Sequence, residues 1–168
     1  MWKLSPTDDV LLVFRSKETT PTMNVLITGG AGFIGANLVR ALDHAPGIGK
    51  IAVLDDFSSG YRENLVGTRA TIFEGSILDE NLLDRAFKKV SAVVHLAARS
   101  SVPLSIAEPM AAHEINATGT VKVLEAARRA GSSHVIMASS SSVYGATAVL
   151  PKHEALPTRP VSPYAASK

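Results

Sequence analysis

The sequence predicts an α/β fold, a doubly wound parallel sheet covered by helices on both faces. Three observations carry this. Short apolar runs alternate with helical patterns from Met23 onward. The first run, Val25-Leu26-Ile27, leads straight into Thr28-Gly29-Gly30-Ala31-Gly32-Phe33-Ile34-Gly35, a glycine turn that opens a helix. The next run closes on an acid, Asp55, about 20 residues past Gly35.

The elements follow in order. Residues 25–28 read as a strand and 33–44 as a helix. Residues 51–54 form a second strand, ending at Asp55. Residues 70–73 make a third strand and 81–89 a helix. Residues 92–96 make a fourth strand. A long helix over 110–130 stops at Gly131, a residue suited to ending helices. Residues 135–138 give a fifth strand. Pro151, Pro157, Pro160 and Pro163 mark 145–163 as a loop leading to a last helix. Residues 1–22 stand apart as an N-terminal extension, and 23–168 as one incomplete nucleotide-binding domain. The apolar run Val10-Leu11-Leu12-Val13-Phe14 is too short to span a bilayer. Asp8 and Asp9 before it do not suit a signal peptide.

Composition narrows the function classes. The 168 residues are 46% hydrophobic and 19% charged, ordinary for a globular protein. A net charge of +2 with no Lys/Arg run gives no basic groove for nucleic acid. No membrane partner is expected. There is no cysteine, so disulfides, thiolate metal sites and a cysteine nucleophile are excluded. That fits a reducing, cytoplasmic setting. The five histidines fall at no metal-ligand spacing, and no metal is expected. His95 reads as a satisfied strand-end residue, and Tyr144 as a packing or pocket-lining one.

The glycine turn has a specific chemical use. Gly29 permits the tight turn, Gly32 lets the backbone approach a pyrophosphate, and Gly35 lets the helix pack close to the strand. The helix N-terminus then offers free N–H groups to the phosphates. Asp55 can accept hydrogen bonds from an adenosine ribose and would repel a 2′-phosphate, so NAD is favoured over NADP. Arg62 is near enough to soften that preference. At the other end, Tyr164-Ala165-Ala166-Ser167-Lys168 places a phenol and an ammonium four residues apart, on one face of a helix.

These blocks together resemble the extended short-chain dehydrogenase/reductases, in particular the NAD-dependent nucleotide-sugar epimerases and dehydratases. The resemblance runs from Met23 to Lys168. It is carried in order by 28–35, Leu54-Asp55-Asp56-Phe57-Ser58-Ser59-Gly60, Gly75-Ser76-Ile77, His95-Leu96-Ala97-Ala98, Asn116 with Gly119-Thr120, the serine run from Ser139 to Gly145, and Tyr164 to Lys168. The runs beginning at Ser101 and at Leu150 are similar to the UDP-hexose 4-epimerase branch that accepts N-acetylglucosamine. Family dehydratases carry an acidic pair where this chain has Ser141 and Ser142, which disfavours dehydration.

The resemblance implies a Rossmann-type fold with NAD bound and a UDP-sugar as substrate. It implies that Gly29, Gly32, Phe33, Ile34 and Gly35 hold the pyrophosphate, and that Asp55 and Asp56 sit at the ribose. Ser76 and Ile77 would border the adenine, although the family usually has Asp where Ser76 stands. Ala97, Ala98 and Arg99 would lie along the inner half of the cofactor, with Asn116 supporting the backbone there. Ser101, Ser140, Ser141 and Tyr164 would meet the sugar. Ser140, Tyr164 and Lys168 would carry the chemistry, with the lysine stabilising a phenolate. The family's substrate domain follows the catalytic helix. The chain is therefore expected to be an N-terminal piece, inactive or weakly active alone, of a homodimeric enzyme. A decarboxylase, a dehydratase and a non-catalytic NAD-binding module remain as other readings.

Overall fold

The computed structural model describes residues 22–168. The extension expected over 1–22 lies, up to residue 21, outside the described residues. Strand β1 (Met23–Thr28) is the centre of the sheet, and its last four residues are buried. It is flanked on one side by β2 (Ile48–Asp55) and β3 (Thr71–Glu74), and on the other by β4 (Ala92–His95) and β5 (His134–Met137). The order is β3-β2-β1-β4-β5, and every pairing is parallel. β2 starts three residues earlier than its apolar pattern suggests. A register irregularity lies between Met23 and Val25. Beside it the Asn24 side chain accepts from the Lys50 amide at 2.9 Å, so the start of β2, Ile48-Gly49-Lys50, stays attached.

A parallel sheet needs crossovers, and here they lie on both faces. Helix α1 (Phe33–Asp43) joins β1 to β2. Its Val39 packs with Val25, Ile27, Ile51 and Val53 on one face. Helix α2 (Glu80–Ala86) begins where the Asp79 carboxylate accepts from the Leu82 amide at 3.1 Å. It stops short of the expected residue 89, because Phe87 caps it and Lys89 turns to φ 62°. Its Leu82 and Leu83 pack with Leu26, Leu54, Val93 and Val123 on the second face.

The long helix expected over 110–130 is an unbroken helical run over 109–130 with a π-helical turn inside it. Helices α3 (Val102–Ala107), which periodicity did not reveal, and α4 (Pro109–His113) are separated at Glu108. A π-helical turn (Glu114–Thr118) then leads into α5 (Gly119–Ala130). The widened turn is closed by the Thr120 hydroxyl, which donates to the Asn116 carbonyl at 2.6 Å. Gly131 ends α5 with φ 71°. The last helix, α6 (Pro163–Ala166), follows a Ser162 cap. No helix among the described residues is long and apolar enough to cross a membrane.

Leu83 is fully buried against β4 and α5. Leu83→Ala is expected to cost about 3 kcal/mol of unfolding free energy. A urea titration of both proteins checks this.

Candidate cofactor and active site

All five strands point their carboxyl ends to one side, so the loops that follow them meet there. Strand order reverses about β1 and β4, and a crevice opens at that switch point. A groove of about 920 Å³ fills it. The loop after β1 supplies Gly29, Gly32, Phe33, Ile34 and Gly35. The end of β2 supplies Asp55 and Asp56, and the loop after β3 supplies Ser76 and Ile77. The loop after β4 supplies Ala97, Ala98, Arg99 and Ser101. These positions, read separately from the sequence, line one wall-to-wall surface.

The glycine turn has no room for side chains at Gly29, Gly30 or Gly35. A Cβ on Gly29, whose φ is 68°, would lie 2.7 Å from the Ala97 amide nitrogen. One on Gly35 would collide with the Gly29 carbonyl. The N-terminus of α1 has no side-chain cap and no acid in its first turn, so its first N–H groups face the groove without an acceptor among the described residues. Phe33 and Ile34 are 84% and 66% exposed on that rim. An uncapped positive helix end inside a deep groove fits the pyrophosphate of a dinucleotide.

Asp55 is 7% exposed and holds this arrangement together. One carboxylate oxygen accepts from the Ala31 amide at 2.8 Å and the other from the Phe57 amide at 2.9 Å. Each oxygen keeps a free lone pair, so a ribose can still be bound. Asp56 accepts from both the amide and the hydroxyl of Ser58, at 2.9 and 2.6 Å. The Ser76 hydroxyl accepts from the Leu78 amide at 3.1 Å, shaping the loop as well as lining it.

Behind the groove runs a buried polar chain. His95 is 2% exposed. Its Nδ1 lies 2.6 Å from the Thr28 hydroxyl and its Nε2 lies 2.9 Å from the Thr120 hydroxyl. Thr120 spends its own proton on the Asn116 carbonyl, so Nε2 carries the imidazole proton and Thr28 donates to Nδ1. Asn116 stands in the π-helical turn behind the groove, not in its wall. Its Oδ1 accepts from the Arg99 amide at 2.8 Å. Its Nδ2 donates to the Arg99 carbonyl at 3.2 Å and the Ser167 hydroxyl at 3.0 Å. Asn116 thus ties the loop after β4 to the segment carrying Tyr164 and Lys168, and its amide has no donor to spare for a cofactor.

Tyr164 lies in helix α6, which runs to Ala166; Ser167 follows with helical backbone angles, and Lys168 is the last residue of the sequence. Its amide reaches the Ala165 carbonyl at 3.4 Å, a three-residue step. Burial pushes the Lys168 ammonium below the usual lysine range. Ser140 caps the short turn Ser141–Tyr144 by accepting from the Ser142 amide at 3.2 Å, which leaves its own proton to donate. Ser141 is exposed beside it. Ser101 lines the groove and also caps α3, accepting from the Leu104 amide at 3.2 Å.

Sequence reasoning missed Ser105 as an anchor. It is 1% exposed, donates to the Val102 carbonyl at 2.7 Å and accepts from the Tyr164 amide at 3.0 Å. The available signal was Ser101-Val102-Pro103, a cap followed by an early proline, which announces a helix and hence its buried face.

Residues 25–168 match the NAD dependent epimerase/dehydratase family. The chain belongs to that family. It is 39% identical over 153 residues to the UDP-glucose 4-epimerase of Azospirillum brasilense, covering 90% of this chain and 43% of that protein. The structure of the Thermotoga maritima UDP-glucose 4-epimerase with UDP-glucose is similar at TM-score 0.81 and 38% identity, covering 87% of this chain and 48% of that one. A dTDP-glucose 4,6-dehydratase from Streptomyces venezuelae, with NAD bound, is similar at TM-score 0.80 and 40% identity, again over 87% and 48%. The chain therefore spans about half the length of the relatives it matches. The fold is Rossmann-type and the cofactor of this family is NAD.

Two outcomes follow from the geometry. Phe33→Glu adds an acid to the first turn of α1, which helps the helix but repels a pyrophosphate. Calorimetry is expected to show NAD⁺ binding at least tenfold weaker (about 1.4 kcal/mol), with the urea midpoint unchanged or raised. The second concerns His95, held neutral down to about 4, first by burial and then by the Lys168 charge. An unfolded imidazole titrates near 6.5. Between those values the unfolded chain takes up a proton that the folded one refuses. Stability therefore falls as pH drops from about 6.5 to about 4, by ~3 kcal/mol in all. Urea midpoints across that range check it, and His95→Asn is expected to flatten the slope.

Proposed function

We propose that the chain is the nucleotide-binding part of a UDP-hexose 4-epimerase. The pair inverted would be glucose and galactose or their N-acetylated counterparts. The observation that carries this reading is the joining of two sites. Asn116 and Ser105 fasten the segment bearing Tyr164 and Lys168 to the loops that border the dinucleotide groove. Bound in that groove, NAD supplies removal and return of a hydride.

The chain's own residues have the remaining tasks. The glycine turn and the α1 N-terminus hold the pyrophosphate, and Asp55 and Asp56 face the ribose. Ser76, Ile77, Ala97, Ala98 and Arg99 border the rest of the cofactor. The Tyr164 oxygen takes the proton of the sugar 4-hydroxyl as C4 is oxidised, and gives it back as C4 is reduced. Lys168 stabilises the phenolate charge. Ser140 donates its free proton to the sugar oxygen, and Ser101 and Ser141 meet the sugar alongside it. The substrate leaves with its configuration inverted at C4, its mass unchanged and the protein restored. The reading carries with it a homodimeric whole protein acting in the cytoplasm.

A dehydratase reading draws support from the Streptomyces venezuelae neighbour. The serines at 141 and 142 argue against it, since neither is an acid fit to assist loss of water.

The test uses the whole protein with UDP-glucose and UDP-N-acetylglucosamine. A product of unchanged mass and inverted C4 is expected. A product lighter by one water, or no turnover with NAD bound, contradicts the proposal. Tyr164→Phe is expected to lower kcat by about 10²–10⁴-fold while leaving NAD⁺ binding intact.

A further inference from the structure

A charged cluster borders the ribose end of the groove and is not used by the reading above. Arg62 opens the short turn Arg62–Leu65, just after the Ser58, Ser59 and Gly60 stretch that lines the groove. Its guanidinium lies 4.4 Å from the centre of the Phe57 ring. It also pairs with the carboxylate of Glu74. Phe57 is two residues past Asp55. Glu74 is the last residue of β3, directly beside Asp55 in the strand register. The pair therefore sits on the flank of the carboxylate that marks the ribose.

Each charged group there is already committed. Asp55 is held by the Ala31 and Phe57 amides, Asp56 by Ser58, and Arg62 by Glu74. Without Glu74, the guanidinium would be a mobile cation beside the ribose, suited to a phosphate by its planar fork. A nearby arginine is the usual means by which such grooves accept a 2′-phosphate. With Glu74 present, that cation is paired, and the carboxylates that line the groove there are Asp55 and Asp56.

We propose that Glu74 is a specificity-determining residue, which withholds Arg62 from a 2′-phosphate and so enforces NAD over NADP. The proposal rests on the reading that this groove holds the adenosine half of the cofactor. Both side chains are about half exposed, so Glu74→Gln removes the charge without opening a core.

The test is calorimetric titration of the chain with NAD⁺ and NADP⁺, and with 5′-ADP and 2′,5′-ADP as cofactor halves. E74Q is expected to bind NADP⁺ and 2′,5′-ADP about fivefold to tenfold more tightly than the wild type. Its NAD⁺ affinity is expected to stay within about twofold of wild type. The gain is expected to vanish in E74Q/R62Q and to be absent in E74D. An E74Q protein with unchanged NADP⁺ affinity overturns the proposal, as does a gain that survives in E74Q/R62Q. A folded wild-type chain that binds none of the four nucleotides overturns the groove reading itself, and this proposal with it.

Discussion

The His95 imidazole, sealed between Thr28 and Thr120, joins the two halves of the site. Thr28 ends the strand that launches the glycine turn. Thr120 closes the π-helical turn that presents Asn116. From Asn116 the chain of hydrogen bonds continues to Arg99 and Ser167. The groove and the Tyr164 segment are thereby held by one polar thread through the interior. Every described buried side-chain nitrogen or oxygen has a partner. The thread depends on an uncharged ring with one fixed proton. A second proton on His95 would put a buried cation beside Lys168, and burial opposes it.

The parallel sheet decides where this thread can act. Parallel strands send all of their following loops to one end, so the glycine turn, Asp55, the Ser76 loop and the Ala97 loop converge without long-range design of each loop. Asp55 then fixes the turn to its neighbouring strand by accepting from Ala31. The same carboxylate shapes the protein's own loop and lines the groove. That dual use explains why an acid at this position is 7% exposed with no basic side chain among the described residues bonded to it.

The sheet and the groove were legible in the sequence because both are written locally. Apolar runs such as Val25-Leu26-Ile27 and a glycine turn need no distant partner to be read. Elements that depend on distant contacts were less visible. The first residues of β2, Ile48-Gly49-Lys50, hold a single apolar side chain, and Lys50 joins the sheet through Asn24, 26 positions away. The π-helical turn has the same residue types as an ordinary helix, and only the Thr120 hydroxyl and the load on Asn116 mark it. Ser105 looked like one serine among many, because its function lies in a contact with Tyr164, 59 positions along the chain.

The most direct test of the account is nuclear magnetic resonance of the isotope-labelled chain during titration with NAD⁺. The account predicts that the largest amide shifts fall on Gly29, Gly32, Phe33 and Ile34, with others on Asp55, Ser76 and Ala97. Smaller shifts should continue through Asn116 to Ser167. A folded chain whose spectrum does not respond, or responds away from the carboxyl ends of the strands, would contradict it.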